Sequence, residues 1–372
     1  MAPGALIVDE TREVVFHAGK GKQTRPILNG ADLKPTFDRI PTVDFKLAFS
    51  PSLADRQSVA REVKKAFTEV GFLYAVNHGI DSALQARTTE AIQQFFDRPL
   101  EEKMQIHINK SPTIKGYEAL LETRLDDRTR GDLKEAFNMA DDPYEPEQAA
   151  PPSLDLSTYP PGPLNQWPAR PAGFRDAIYA YRGAAQAFSG VLLRLLALGL
   201  ELPEDYFESM LAFPMAGLRA LHYPPQAAAD NNNSNTIGIG AHADYSWFTL
   251  VNQLSDTPGL EVLNANGHWV PAPPVAGSLV VNVGDFLERA TNDRFVSTVH
   301  RVRNISGRER YSLAYFFAPS QDVMIRTLPT CVPEGEKPKY EDINAGDWQL
   351  ERLLRARVNH PMSIAAKARG EI

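Results

Sequence analysis

The sequence predicts an α+β chain, mainly β, in which helices flank a sandwich or barrel of short strands. Three observations carry this. From Leu218 to Ala318, apolar and β-branched runs alternate with turn signals at Gly259, Asn264 to Gly267, Pro271 to Gly277 and Asn304 to Gly307, the texture of a many-stranded β core. Ser52 to Val70 instead spaces Leu53, Val59, Val63, Phe67 and Val70 at helical intervals, with charges on the opposite face. Finally, 372 residues exceed the usual single domain, but a large sandwich wrapped by helices absorbs them as one unit.

Residues 1–36 scatter Gly, Pro and charge without a sustained period, so they read as an arm on the core's surface with one short strand. A region of helices and strands over 37–200 follows. It opens with an entry strand at Ile40 to Phe45 and the Ser52 to Val70 helix, which Gly71 ends. Phe72 to Val76 is a compact strand, and Val76-Asn77-His78-Gly79-Ile80 turns into a second helix running to Phe95 and Phe96. Nine prolines between 141 and 173 exclude regular helix and mark a long surface connection. A buried helix from Phe174 to about Leu200 leads into the β core, 201–325. The tail, 326–372, is helical around Trp348 to Arg357. No internal repeat is visible, and the low-complexity stretch Asp230 to Asn235 reads as a mobile loop before the strand carrying His242.

A net charge of −7 without a dense basic cluster gives no footprint for nucleic acid, leaving a small molecule as the default partner. The single cysteine, Cys331, rules out an intramolecular disulfide framework and fits a reducing compartment. There is no secretory h-region and no apolar run of about 18 residues, so a soluble, cytoplasmic protein away from membranes is expected. The Asn-x-Ser triplets at Asn232 and Asn304 then read as turns. Oligomeric state is not readable.

His242 and Asp244 are separated by one residue, so on a strand both side chains reach the same face. His300, in the β-rich run Ser297 to Val302, can supply a third ligand from a neighbouring strand. Two imidazoles and one carboxylate can hold Fe(II) on one face and leave positions open. Against this stands the plainer reading of two half-buried histidines and a turn aspartate, since a bare His-x-Asp recurs by chance. Of the eight histidines, His17, His107, His268 and His360 lie in loop-like or polar surroundings, and His78 reads as structural. His222 points away from any pocket that Tyr223 faces. Zinc suits the same donors, but no second carboxylate accompanies the triad as a hydrolytic base.

Arg310, Ser312, Ala314 and Phe316 share one face of an apolar strand. A buried arginine is costly unless paired, and a carboxylate meets its fork through two charge-assisted hydrogen bonds, with Ser312 as a further donor. Tyr223, in Leu221-His222-Tyr223-Pro224, offers another hydrogen bond or is simply a core tyrosine.

Taken jointly, these residues resemble the iron- and 2-oxoglutarate-dependent dioxygenases of the isopenicillin N synthase-like branch. The likeness runs from residue 40 to about 355. It includes Gly71 to Tyr74, Val76 to Ile80, Lys115-Gly116-Tyr117, Asp132 to Phe137, Gly284-Asp285, His300-Arg301-Val302 and Arg310 to Ser312. The resemblance implies a double-stranded β-helix, or jelly roll, flanked by helices. It also implies iron on His242, Asp244 and His300, 2-oxoglutarate on Arg310, Ser312 and Tyr223, O2 as oxidant, and ascorbate as a candidate reductant. Plant members often have an asparagine two residues before the tyrosine; Leu221 stands there. The texture is similar to a fungal group that includes thymine 7-hydroxylase, and by that likeness Arg219, Tyr245 and Phe316 face the substrate. An asparagine of that enzyme falls on Ala216, so the likeness points to an aromatic or heterocyclic metabolite of natural-product biosynthesis rather than to thymine. The implied reaction is hydroxylation, desaturation or ring rearrangement, with succinate and CO2 released and Trp247 and Phe248 walling the cavity. Two alternatives stay open: an iron oxidase that uses no 2-oxoglutarate, and a non-catalytic jelly-roll binding protein stapled by a metal.

Overall fold

The computed structural model describes residues 13–19, 21–123, 131–226, 237–357 and 359–372. Asp230 to Asn235 lie outside them. Two sheets face each other. The larger runs, in spatial order, Thr42–Asp44, Phe72–Val76, Ser278–Val283, Phe248–Gln253, Arg310–Ser320, Pro214–Tyr223, Glu135–Met139 and Gly116–Glu118. The smaller runs Trp269–Pro271, Leu260–Leu263, His300–Val302, Ile239–His242, Glu13–Ala18 and Gly21–Pro26.

Alternation along the strands divides the larger sheet into two faces. Leu218, Ala220, Leu250, Leu279, Leu313 and Tyr315 turn outward into one large core. Against them pack three helices, Leu53–Glu69, Ser82–Phe96 and the 26-residue Phe174–Gly199. The other face sets Phe72, Tyr74, Leu221, Tyr223 and Val280 against Ile239, Leu260, Val262 and Val302 of the smaller sheet. This is the expected jelly roll of mixed α and β content, with helices on one side.

Local chemistry explains the boundaries. Ser52 caps the first helix by accepting from the Asp55 amide, and Val59, Val63 and Phe67 form its buried stripe. Gly71 follows at φ +74, where a Cβ would lie 2.1 Å from the Val296 carbonyl, so no other residue fits. The proline-rich stretch forms only one-turn 3-10 segments at Pro146–Gln148 and Leu156–Thr158.

Three expectations are corrected. The arm contributes a hairpin, Glu13–Ala18 with Gly21–Pro26, not one strand, and its first strand pairs in parallel with Ile239–His242, His17 opposite His242. His17 is therefore a strand residue at the cavity wall rather than a loop residue. The tail helix starts earlier, spanning Ala345–Ala356, and a second helix, Pro361–Ala368, follows. Among the described residues, no helix is long and apolar enough to cross a membrane.

Candidate metal centre and cosubstrate pocket

His242 ends its strand directly opposite His300, which begins the antiparallel neighbour, and the two rings lie 4.4 Å apart. Asp244 is not on the strand, as expected, but in the link that follows it. It still reaches the pair. Its Oδ1 lies 3.7 Å from His242 Nε2 and 3.8 Å from His300 Nε2, and donor atoms of all three fall within 4.8 Å of one another.

The remaining atoms of the triad are committed elsewhere. Thr249 Oγ1 and Asn282 Nδ2 both donate to Asp244 Oδ2, at 2.6 and 2.8 Å, so Oδ1 is turned to the histidines. His242 Nδ1 faces the Gly240 carbonyl at 2.8 Å and His300 Nδ1 the Thr298 carbonyl at 3.2 Å. A carbonyl only accepts, so each Nδ1 carries the proton and each Nε2 presents a lone pair, the tautomer a metal needs. Burial and the neighbouring His300 hold His242 down to about 4, outweighing Asp244. Burial raises the Asp244 carboxyl, but the two imidazoles and the Thr249 and Asn282 hydrogen bonds bring it below the ordinary value. A neutral His242 imidazole and an ionised Asp244 carboxylate thus converge with the His300 ring on one point.

The same cavity, about 570 Å³, is lined by Tyr223, Arg310 and Ser312 and by Arg219, Tyr245 and Phe316. The nine residues offered as metal ligands and as cosubstrate or substrate contacts therefore border one space. Arg310 is only 1% exposed. Its Nη1 donates to Ser312 Oγ at 3.4 Å and its Nη2 to Gln253 Oε1 at 3.2 Å, its Nε has no partner, and its guanidinium lies 4.9 Å from the Tyr223 ring centre. No carboxylate among the described residues neutralises it. A fully buried cation so placed needs an anion, and a dicarboxylate's far end supplies one. These residues fit Fe(II) and 2-oxoglutarate.

Other placements differ from expectation. Arg219 is not free, because its Nη2 donates to Glu118 Oε1 at 2.8 Å. Trp247 and Phe248 do not wall the cavity. They belong to the large core, where Trp247 meets Phe207 at 5.0 Å and Phe248 stacks on Phe317 at 5.1 Å. His222 points away as expected, Nδ1 2.8 Å from Glu135, and His78 Nδ1 accepts the Ile80 amide. Sequence reasoning misses Thr249, Asn282 and Gln253. One signal was available: Asn282 is the single polar side chain in Leu279-Val280-Val281-Asn282-Val283.

Comparison with known proteins agrees with this geometry. Residues 214–319 match the 2OG-Fe(II) oxygenase superfamily, and residues 40–170 match the family described as non-haem dioxygenase in morphine synthesis N-terminal. The 2-oxoglutarate-Fe(II) type oxidoreductase ppzC of Metarhizium rileyi is 34% identical over 92% of this chain and 94% of its own length. The oxidoreductase of the same type hxnY of Emericella nidulans is 36% identical over 82% and 87%. The crystal structure of Neurospora crassa thymine 7-hydroxylase with alpha-KG and thymine superimposes with a TM-score of 0.75 at 27% identity, covering 85% of this chain and 96% of that one. The chain belongs to the 2OG-Fe(II) oxygenase superfamily and is a dioxygenase that uses Fe(II), 2-oxoglutarate and O2.

Proposed function

We propose that His242, Asp244 and His300 hold the iron, that Arg310, Ser312 and Tyr223 bind the distal carboxylate of 2-oxoglutarate, and that Arg219, Tyr245 and Phe316 face a small aromatic or heterocyclic metabolite. The observation that carries this is the uncompensated Arg310, buried in the cavity onto which the triad opens. When bound, Fe(II) with 2-oxoglutarate and O2 supplies the oxidising power, leaving succinate and CO2. The chain's own work is orientation and exclusion of water. Thr249 and Asn282 fix which carboxylate oxygen of Asp244 faces inward, and the Gly240 and Thr298 carbonyls fix both imidazoles. Gln253 steadies the Arg310 fork from the adjacent strand.

The substrate assignment rests on two aromatic side chains, Tyr245 and Phe316, at the wall of a cavity within the usual range for small-molecule sites, and on the thymine bound by the Neurospora enzyme. A role in natural-product biosynthesis, in the cytoplasm, is the physiological setting of this reading. The test is an anaerobic titration of the Fe(II)·2-oxoglutarate complex with aromatic and heterocyclic metabolites, followed by succinate release in air. A shift of the charge-transfer band with one compound, and succinate formed in step with its loss, is expected. Substrate loss without succinate would mark an oxidase that needs no 2-oxoglutarate. Full turnover in both His242→Ala and Asp244→Ala would overturn the metal assignment.

A further inference from the structure

The cavity has a second cationic end. Arg219 pairs with Ala314, and Arg310 with Tyr223, on the same two strands. Four residues of strand therefore separate the two arginines, roughly 13 Å at ~3.3 Å per residue. Around Arg219 gather Lys115, Lys134 and Arg357, and all but Lys115 share one carboxylate. Glu118 meets Lys134 and, through Oε1, Arg219 at 2.8 Å, while its Oε2 lies 3.4 Å from Arg357 Nη2. Buried Asp132 and half-buried Asp141 are the other acids whose charges act on this group. Four cations thus stand against three carboxylates even with every acid ionised.

Several donors at this end are unspent. Among the described residues, Lys115 Nζ has no hydrogen bond or ion pair, although the side chain lines the cavity and lies close enough to Arg357 for their charges to repel. Among the described residues, Arg219 uses only Nη2, and Arg357 makes a loose ion contact with no hydrogen bond from its guanidinium. Both guanidinium groups also border the cavity, and both leave a buried Nε without an acceptor. Crowding cations in this way is unfavourable unless an anion joins them. The Arg310 end answers the same problem with the cosubstrate; this end faces the space left for the substrate.

We infer that the substrate is an organic acid whose carboxylate is bound by Lys115, Arg219 and Arg357, at the end of the cavity opposite Arg310. The inference rests on the proposed function for its assignment of the Arg310 end to 2-oxoglutarate. An acidic group here receives charge-assisted hydrogen bonds from a guanidinium fork and an ammonium, while the aromatic body extends toward Tyr245 and Phe316. The three cations come from three separate parts of the chain: the segment before Gly116–Glu118, the strand Pro214–Tyr223, and the residue after the helix Ala345–Ala356. A cationic substrate would be repelled.

The experiment titrates the anaerobic Fe(II)·2-oxoglutarate complex, by calorimetry, with benzoate and indole-3-carboxylate, each beside its primary amide, and with benzylamine. At least one acid is expected to bind tenfold or more tighter than its amide, with no binding of the amine and with the 2-oxoglutarate charge-transfer band retained. Lys115→Gln and Arg357→Gln each lower acid affinity about tenfold without changing amide affinity, and Lys115→Arg restores the preference. Melting temperature and the charge-transfer band report whether each variant is folded. Equal binding of acid and amide, binding of neither, or displacement of 2-oxoglutarate by the acid would overturn the inference, as would variants that leave the acid-to-amide ratio unchanged. Failure of the underlying reading appears separately, as absence of any charge-transfer band with 2-oxoglutarate, and the acid and amide titrations still read this end of the cavity.

Discussion

Arg310 carries the cosubstrate reading, and it does so through a cost. The side chain is fully buried, burial holds its guanidinium below the ordinary value, and its neighbours Ser312, Gln253 and Tyr223 bring no carboxylate. The protein without cosubstrate therefore carries an uncompensated cation in its interior, so removing the charge should raise the stability of that state. Arg310→Met is expected to stabilise the 2-oxoglutarate-free protein by about 1–4 kcal/mol, the gain seen when buried ionic groups are replaced by apolar ones. The same change should weaken 2-oxoglutarate binding by roughly 2–5 kcal/mol, the usual loss when one partner of a buried charge pair is truncated. Thermal melts with and without 2-oxoglutarate check both signs. The native protein gains melting temperature with ligand by mass action, and the variant starts higher and gains little. A variant that melts lower without ligand and still responds to 2-oxoglutarate would show that Arg310 is a structural residue.

At the scale of elements, the strands bearing the site show how sequence becomes geometry. Arg310–Ser320 and Pro214–Tyr223 can be read in advance because their even and odd positions differ in chemistry, sorting Arg310 and Ser312 to the cavity and Leu313 and Tyr315 to the core. The hairpin Glu13–Ala18 with Gly21–Pro26 cannot. Its second strand, Gly-Lys-Gln-Thr-Arg-Pro, has no apolar face, and it forms by backbone pairing at a sheet edge. The position of Asp244 past its strand's end is likewise invisible, because Thr249 and Asn282, which hold it, act from two other strands. Behind the cavity strand Pro214–Tyr223, Glu135 of the neighbouring strand accepts from Lys103 at 2.7 Å, faces His222 at 2.8 Å and accepts from Tyr117 at 2.5 Å. Burial raises the Glu135 carboxyl, but these three hydrogen bonds and the Lys103 charge bring it below the ordinary value of 4.5. The unfolded chain thus binds the proton more readily, and the stabilisation is present at neutral pH and lost as pH falls below that value. Glu135→Gln should cost about 1.5–3 kcal/mol at pH 7, with the gap to the native protein narrowing toward pH 4. Parallel denaturant titrations at the two pH values measure it, and a gap independent of pH would remove the carboxylate's charge from the explanation.

In the whole molecule, the N-terminal hairpin pairs with the strand that ends at His242, and Arg352 of the tail helix reaches that hairpin. From the tail helix its Nη1 donates to the Ala18 carbonyl of the N-terminal hairpin at 2.6 Å, and its Nη2 to Asp285 Oδ2 at 3.2 Å. Asp285 in turn accepts from Ser297 Oγ at 2.8 Å, and its amide donates to the Asp244 carbonyl at 2.7 Å. None of these links follows from local sequence, because each joins segments distant along the chain; only the Gly284-Asp285 pair marks the place. Gly284 is required there by close approach, since a Cβ would lie 2.2 Å from the Ser246 carbonyl. Burial pushes Asp285 up to about 6 against the opposing charge of Arg352. The native state therefore binds this proton more readily than the unfolded chain, and stability falls as pH rises from about 4 through 6. Arg352→Met removes the one charge that limits this loss and pushes Asp285 higher still. The variant's deficit should be small below pH 5 and should open above pH 6 to as much as about 3 kcal/mol, the low end of the cost of an unpaired buried charge. Since Arg352 also lines the cavity, 5.8 Å from the Tyr245 ring, the substrate KM should rise while 2-oxoglutarate affinity, which we assign to the Arg310 end, holds. Denaturant midpoints from pH 5 to 8, with both constants measured at pH 7.5, test the two halves together. A deficit that stays flat with pH would mean that Arg352 works through packing alone, and equal losses for substrate and cosubstrate would mean that the tail positions the whole site rather than its substrate end.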